Sequence, residues 1–363
     1  MLKKTIKFRL LIISAILLSA SANAWASSEK LIIDTHEHIQ SVNQADDLVS
    51  AMNAAGVKKT ILAPSPIETL TLNGNQTFTE YQDNVNEILK ITEKYPDRFI
   101  PFCTISPLDP NAADILKDCH ERGGVGLKLY NGHSYYYDNF GMPLDSPVMD
   151  PIYEYAEKEK MPVLYHVNAE QYGDELERVL AKYPNMAVSI PHYMVTGLDF
   201  AKIEHILDTY PNTYTDISFG NDPFLAEGFM MISGNVKKYQ DFFAKYQDRI
   251  LFGADMVLTD NAKKDMGYIK SVIDCYKNIL EKKTFSCPIS TNYYKTAYLD
   301  FFRSLLSCNP KVGKFCQLKK EKYKSAHKTL IKARRLNGLS LDAGILKKIY
   351  SENPMKFLNA NNQ

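Results

Sequence analysis

From residue 31 to about residue 256 the chain alternates between two hydrophobic rhythms. Short apolar runs rich in β-branched residues read as strands. Each is followed by a longer stretch whose apolar residues recur every three or four positions, the period of a helix with one buried face. Strands are predicted at residues 31–38, 59–63, 99–105, 125–130, 163–167, 187–191, 213–218 and 250–255. Helices are predicted between them, at 45–55, 81–95, 111–122, 151–160, 173–183, 198–210 and 237–246. Three of these helices end in Tyr-Pro (Tyr95-Pro96, Tyr183-Pro184 and Tyr210-Pro211), where proline lacks the N–H that would continue the helix and disfavours the helical conformation of the residue before it. Eight strands alternating with helices predict an α/β fold of the (β/α)8 TIM-barrel kind, a closed parallel sheet inside a ring of helices. An open doubly wound sheet is the competing arrangement, but no glycine-rich phosphate loop follows the first strand.

The rhythm breaks after the eighth strand. Over residues 257–340 lysines, tyrosines and four of the six cysteines accumulate, and residues 311–335 hold ten Lys or Arg against the single acid Glu321. This predicts a long helical insertion after strand eight. It reads either as a solvated excursion stapled by disulfides or as a basic surface that meets anionic lipid, glycan or a substrate carboxylate. A closing helix at 341–350 and the sequence Ser351-Glu352-Asn353-Pro354 end the barrel.

The first 26 residues have a different order. Lys3, Lys4, Lys7 and Arg9 precede an apolar run from Leu10 to Leu18, and Ala22-Asn23-Ala24 and Ala24-Trp25-Ala26 follow. That is the layout of a cleaved secretory signal, too short to span a bilayer comfortably. The expected organisation is a signal peptide at 1–26 and one barrel domain at 27–363, exported to the periplasm or secreted, with no stable membrane insertion after cleavage. With 45% hydrophobic and 23% charged residues in 363, the chain has ample material for a large core. Cleavage removes four cations and no acid, taking the formal charge from +1 to −3. Such a balance gives no case for a nucleic-acid partner and leaves a small-molecule substrate, with a homo-oligomer open. Export also permits disulfides. Cys275, Cys287, Cys308 and Cys316 cluster in one region and are expected to bridge, whereas Cys103 reads as a buried core residue.

In such a barrel the active site is built at the C-terminal ends of the strands. Strand one brings His36 and His38, which share a face because residues two apart on a strand point the same way. Strand four brings Lys128, strand five His166, strand six His192 and strand eight Asp255. Imidazole nitrogens and a carboxylate oxygen suit a divalent ion, zinc first and manganese second. The expected ligands are His36, His38, His166 and Asp255. Asp255 would also accept a proton from an attacking water, and His192 would polarise the substrate or hold a second ion. His133, Tyr130, Tyr165 and Tyr193, at or just beyond strand ends, are the candidate substrate contacts. The arginines Arg98, Arg122 and Arg249 precede strands and Arg178 lies on a helix, so no guanidinium is expected at the mouth unless Arg303, Arg334 or Arg335 reaches in.

These motifs together resemble the amidohydrolase superfamily, and within it the amidohydrolase-related branch that also contains decarboxylases of the aminocarboxymuconate-semialdehyde type. The resemblance rests on Asp34-Thr35-His36-Glu37-His38, on Gly-Leu-Lys-Leu at 126–129, on Pro162 to His166, on Phe252-Gly253-Ala254-Asp255 and on Glu352-Asn353-Pro354. It implies a barrel of the metal-dependent hydrolase type, with positions 36, 38, 166 and 255 as metal ligands and His192 as catalytic or a second ligand. For Lys128 it leaves three roles open: a carboxylated bridge between two ions, an unmodified lysine facing substrate or Asp255, and a structural ion pair. The expected function is an exported metal-dependent hydrolase acting on an amide, lactone or ester-like bond of a small molecule. A non-oxidative decarboxylase or hydratase on the same ligands is the second expectation, and a non-catalytic binding barrel the third.

Overall fold

A computed structural model of the chain describes residues 31–71, 77–197, 199–260, 264–306 and 313–358. The expected signal segment, with Trp25, lies outside them. Nine strands form one parallel sheet: β1 Ile33–Ile39, β2 Lys59–Leu62, β3 Phe99–Thr104, β4 Gly126–Gly132, β5 Val163–Val167, β6 Val188–Ile190, β7 Thr213–Asp216, β8 Ile250–Leu251 and β9 Val257–Leu258. Each of β1 to β7 pairs in parallel with the next, as short, doubly buried strands do when helices cover the outside of a sheet.

The predicted eighth strand is split. Its first part, β8, pairs with β7, and its continuation, β9, pairs with β1 through His38↔Val257 and Ile39↔Leu258. Between the two, Thr35 N–H donates to Phe252 O at 2.8 Å and Asp255 N–H donates to His36 O at 2.7 Å, so the hydrogen-bonded ring closes. The break falls at Asp255, whose φ of 50° is left-handed, a conformation that Asp tolerates better than most residues. Buried Asp34 and Glu37 fasten the same seam, accepting Ala254 N–H at 3.2 Å and Met256 N–H at 2.8 Å.

Eight helices wrap the sheet: α1 Ala45–Ala55, α2 Tyr81–Lys94, α3 Ala112–Glu121, α4 Asp150–Lys158, α5 Ala169–Lys182, α6 Phe200–Thr209, α7 Val236–Lys245 and α8 Met266–Glu281. The main core lies between them and the outward faces of the strands, with Leu127, Leu129, Val163, Tyr165 and Val167 all buried. A smaller cluster of Ile61, Phe102, Leu164 and Leu251 fills the barrel interior, and Phe357 of the final turn Asn353–Leu358 plugs it from below. Asn353 fixes that plug by donating to Gln247 O and Ile250 O at 2.7 and 2.8 Å.

The 257–340 stretch is thus not one excursion: β9 belongs to the ring, and α8 packs on α1 as the eighth barrel helix. The protrusion is a hairpin of helices Pro288–Leu306 and Gly313–Ala333, held at its base by antiparallel pairing of Thr284–Phe285 with Leu336–Asn337. A Cys275–Cys287 disulfide ties α8 to that base. Cys103 is buried as expected but is not a free core residue: it is bonded to Cys119. The outward side of β3 meets the apolar face of α3, which brings the two sulfurs together. Cys308 lies outside the described residues, as does the side chain of Cys316.

Candidate metal centre

At the C-terminal end of the ring, β1 turns His36 and His38 inward and the seam turns Asp255 toward them. His36 Nε2 and His38 Nε2 lie 3.1 Å apart, and Asp255 Oδ1 lies 3.3 and 3.2 Å from them. The far side of each ring is engaged. His36 Nδ1 donates to Asp216 Oδ2 at 2.8 Å, and His38 Nδ1 donates to Ala63 O at 2.8 Å. A carboxylate and a carbonyl only accept, so each Nδ1 carries the ring proton and each Nε2 is left as a bare lone pair. Burial favours these neutral rings, lowering His36 to about 4 and His38 below its ordinary value. Two lone pairs and an anionic oxygen at such distances repel one another, and a cation among them removes the repulsion. A triangle with edges of 3.1 to 3.3 Å accommodates an ion roughly 2.0–2.2 Å from each corner, the coordination distance of zinc to imidazole and carboxylate.

His192 approaches the other oxygen of Asp255. Its Nδ1 donates toward Ser218, with Oγ at 2.9 Å and the carbonyl at 3.2 Å, and its Nε2 stands 3.5 Å from Asp255 Oδ2. The turn that carries it is strained: His192, Tyr193, Met194 and Val195 all have φ between 51° and 60°. Asp216 anchors that turn as well as His36. It accepts from His36 Nδ1, His192 N–H, Ser218 N–H and Ser218 Oγ–H. Burial alone would raise its carboxyl, yet these donors hold it at about 2. Asp216 and Ser218 are the site residues that the sequence reading missed. The signal was available, because Asp216 closes β7 as Asp255 closes the eighth strand.

His166, the fourth expected ligand, stands beside these donors. Among the described residues two groups of donors have ligand atoms all within 4.8 Å of one another: His36, His38 and Asp255, and His36, His192 and Asp216. His166 is in neither. Its ring lies between those of His133 and His192, with centroids 4.1 and 4.9 Å away. Its nitrogens have no hydrogen-bond partner among the described residues, and burial drives its pKa well below the ordinary value. The ring is half-buried and lines the cavity, so its nitrogens are open to a ligand there. Lys128 is fully buried and faces the donor trio, with Nζ 3.2 Å from His36 Nε2; burial lowers it to about 8.

The trio opens on a cavity of about 610 Å³ lined by His38, Tyr130, His133, His166, His192 and Asp255 on one side. Phe219, Phe224, Leu225, Met231 and Val272 make much of the other side, several of them from the helix Asp222–Gly234. Lys128 does not line it. His133 caps the helix Ser134–Phe140: its Nδ1 accepts Tyr135 N–H at 2.9 Å, so the proton of the neutral ring is on Nε2. Tyr130 lines the cavity, its hydroxyl donating to Pro64 O at 3.0 Å. Tyr165 and Tyr193, expected at the substrate, do not line it. Tyr165 follows the strand alternation that turns its neighbour His166 inward, so it points outward and bonds Tyr153 Oη at 2.7 Å. The left-handed turn sends Tyr193 back among Phe219, Tyr239 and Phe242. Arg98, Arg122, Arg178 and Arg249 make their hydrogen bonds away from the mouth, and Arg303 pairs with Asp300.

A closed (β/α)8 barrel that aims two imidazoles and a carboxylate at one point of its open end defines a metal-binding barrel. The amidohydrolase family model matches residues 33–360, and the chain belongs to that family. No curated protein matches it. Among solved structures it is similar to a 4-oxalomesaconate hydratase from Rhodopseudomonas palustris, at 14% identity over 90% of this chain and 95% of that one, with a TM-score of 0.48. It is also similar to a 2,6-dihydroxybenzoate decarboxylase from Rhizobium (17% identity, 68% and 99% covered, TM-score 0.41). A 5-carboxyvanillate decarboxylase from Novosphingobium aromaticivorans, complexed with manganese, is similar at 15% identity, with 69% and 94% covered and a TM-score of 0.44.

Proposed function

We propose that the protein is an exported metal-dependent hydrolase that brings water to an amide, lactone or ester-like carbon of a small molecule. The observation that carries this reading is the mutual approach of His36 Nε2, His38 Nε2 and Asp255 Oδ1, three unprotonated ligand atoms within 3.3 Å of one another, with Lys128 Nζ 3.2 Å from His36 Nε2 beside them. His36, His38 and Asp255 would hold the ion, with the unpartnered His166 and His192 beside them. Zinc suits two imidazoles and a carboxylate, and manganese is the second choice. Such an ion supplies Lewis acidity that makes water a usable nucleophile near neutral pH. Asp255, whose Oδ2 is turned toward His192, takes the proton from the attacking water. His133, with its Nε2–H fixed by the helix cap, donates a hydrogen bond to the substrate, and His192, whose Nδ1–H is held by Ser218, presents Nε2 as an acceptor. The apolar wall of the cavity excludes bulk water.

Elemental analysis of the purified protein tests the centre: at least one zinc or manganese per chain is expected, lost in His38→Ala. A metal-free wild-type protein purified without chelator refutes it. Decarboxylation on the same donors is the second reading, favoured by an ammonium group, Lys264, in the cavity wall. Incorporation of oxygen from labelled water into product supports hydrolysis, and carbon dioxide release without it supports the second reading. Export is supported by the order of residues 1–26 and by the two disulfides. Mass spectrometry of the mature chain should find Ser27 at the N-terminus. That chain should lack indole fluorescence, because the sole tryptophan is Trp25.

A further inference from the structure

The cavity has one lysine or arginine among its described lining residues, Lys264. It sits just after β9, and its Nζ donates to Val257 O at 2.7 Å. Val257 is the residue that pairs with His38 across the seam, so the ammonium is held one strand away from the donor trio. A lysine has three N–H donors, and this one uses one of them on the backbone. No carboxylate among the described residues lies within 4.0 Å of it. Asp222, the nearest acid that also lines the cavity, is engaged by the hydroxyl of Tyr268. Burial lowers the pKa of Lys264, and Asp222, Glu37 and Asp255 oppose that shift. Beyond it Phe219, Phe224, Leu225 and Met231 give the wall apolar surface, with Asn221, Asp222 and Glu227 among them.

We propose that Lys264 is an anion-binding subsite, selecting a ligand that joins a carboxylate, or an equivalent oxyanion, to an apolar or aromatic body. Two free N–H donors of a partly desolvated ammonium call for an acceptor with negative charge, and the strand pairing places that acceptor next to the His38 side of the trio. The backbone hydrogen bond to Val257 fixes the amine, so the subsite is formed before the ligand arrives. The inference rests on the reading of the cavity as the substrate site, and it names the class of substrate. It also supplies the cation that none of the described arginines brings to the mouth.

The test is binding of benzoate and of benzamide, equal in shape but different in charge, to the purified full-length mature protein by calorimetry, with metal content measured on the same samples. Wild type is expected to prefer benzoate. Lys264→Met should weaken benzoate about ten- to a hundredfold, the size of a lost hydrogen bond to a charged group, and leave benzamide unchanged. Lys264→Arg should retain most of the preference, which separates charge from a structural role in holding β9. The proposal is overturned if wild type binds the two alike, or if Lys264→Met keeps the benzoate preference, in which case the carboxylate goes to the ion. A protein without metal whose benzoate preference still vanishes in Lys264→Met would refute the metal centre and uphold this subsite.

Discussion

Asp216 does not line the cavity beside the trio, yet it decides where two of the site's imidazoles point. One oxygen takes the proton of His36 Nδ1, and the other takes the N–H groups of His192 and Ser218. An orienting carboxylate of this kind contributes by keeping the coordinating nitrogen bare and aimed. Asp216→Asn should lower zinc affinity about 10- to 100-fold in a chelator competition while leaving the fold intact. A second expectation concerns His36, whose folded pKa of about 4 lies below the ordinary 6.5. In metal-free protein the unfolded chain binds this proton first as the pH falls. The stability from a neutral His36 is therefore present above 6.5 and is lost as the pH drops toward about 4. Urea titrations between those limits should slope accordingly, and His36→Gln should flatten the slope. At this scale His36, His38, His192 and Asp255 were legible because strand ends concentrate them. Asp216 was overlooked because, unlike Asp255 in Phe252-Gly253-Ala254-Asp255, it stands in no motif that draws the eye, and the packing of the His166 ring against His133 is not encoded in spacing.

Among the elements, alternation along the strands did more than their boundaries. It placed Lys128 and Tyr130 on the inner face of β4, and applied to β5 it would have turned Tyr165 away from the substrate. Gly132, at the end of β4, shows how tightly the strand ends are set. A Cβ there would stand 2.7 Å from Val167 Cγ2, 2.8 Å from Val167 Cα and 2.9 Å from His166 O. Gly132→Ala should cost about 1–3 kcal/mol in a denaturant titration and displace the end of β5, measured as altered metal binding beyond the stability loss. The second part of the eighth strand was not legible, because Asp255 reads as the end of the run and nothing in Met256-Val257-Leu258 shows that the chain turns at a left-handed Asp255 to pair with β1.

For the molecule as a whole, the change of composition after residue 256 marked additional structure but not its purpose. The hairpin helix Pro288–Leu306 packs on Asp222–Gly234, the helix that walls the cavity, and Tyr293 Oη donates to Glu227 Oε1 at 3.4 Å. The protrusion therefore braces the pocket. The Cys103–Cys119 bond went unread because sequence shows burial more readily than partnership. No helix among the described residues is long and apolar enough to cross a membrane.

The seam between β1 and β9 gives the centre a kinetic character. Thr35 and Phe252, joined there, are 217 residues apart in the chain, so this is among the last contacts that a folding polypeptide can make. An ion gripping His36, His38 and Asp255 acts as a clasp on a hoop, closing the gap that forms latest and springs first. Loading with zinc should therefore slow the unfolding arm of a chevron plot and leave the refolding arm nearly unmoved.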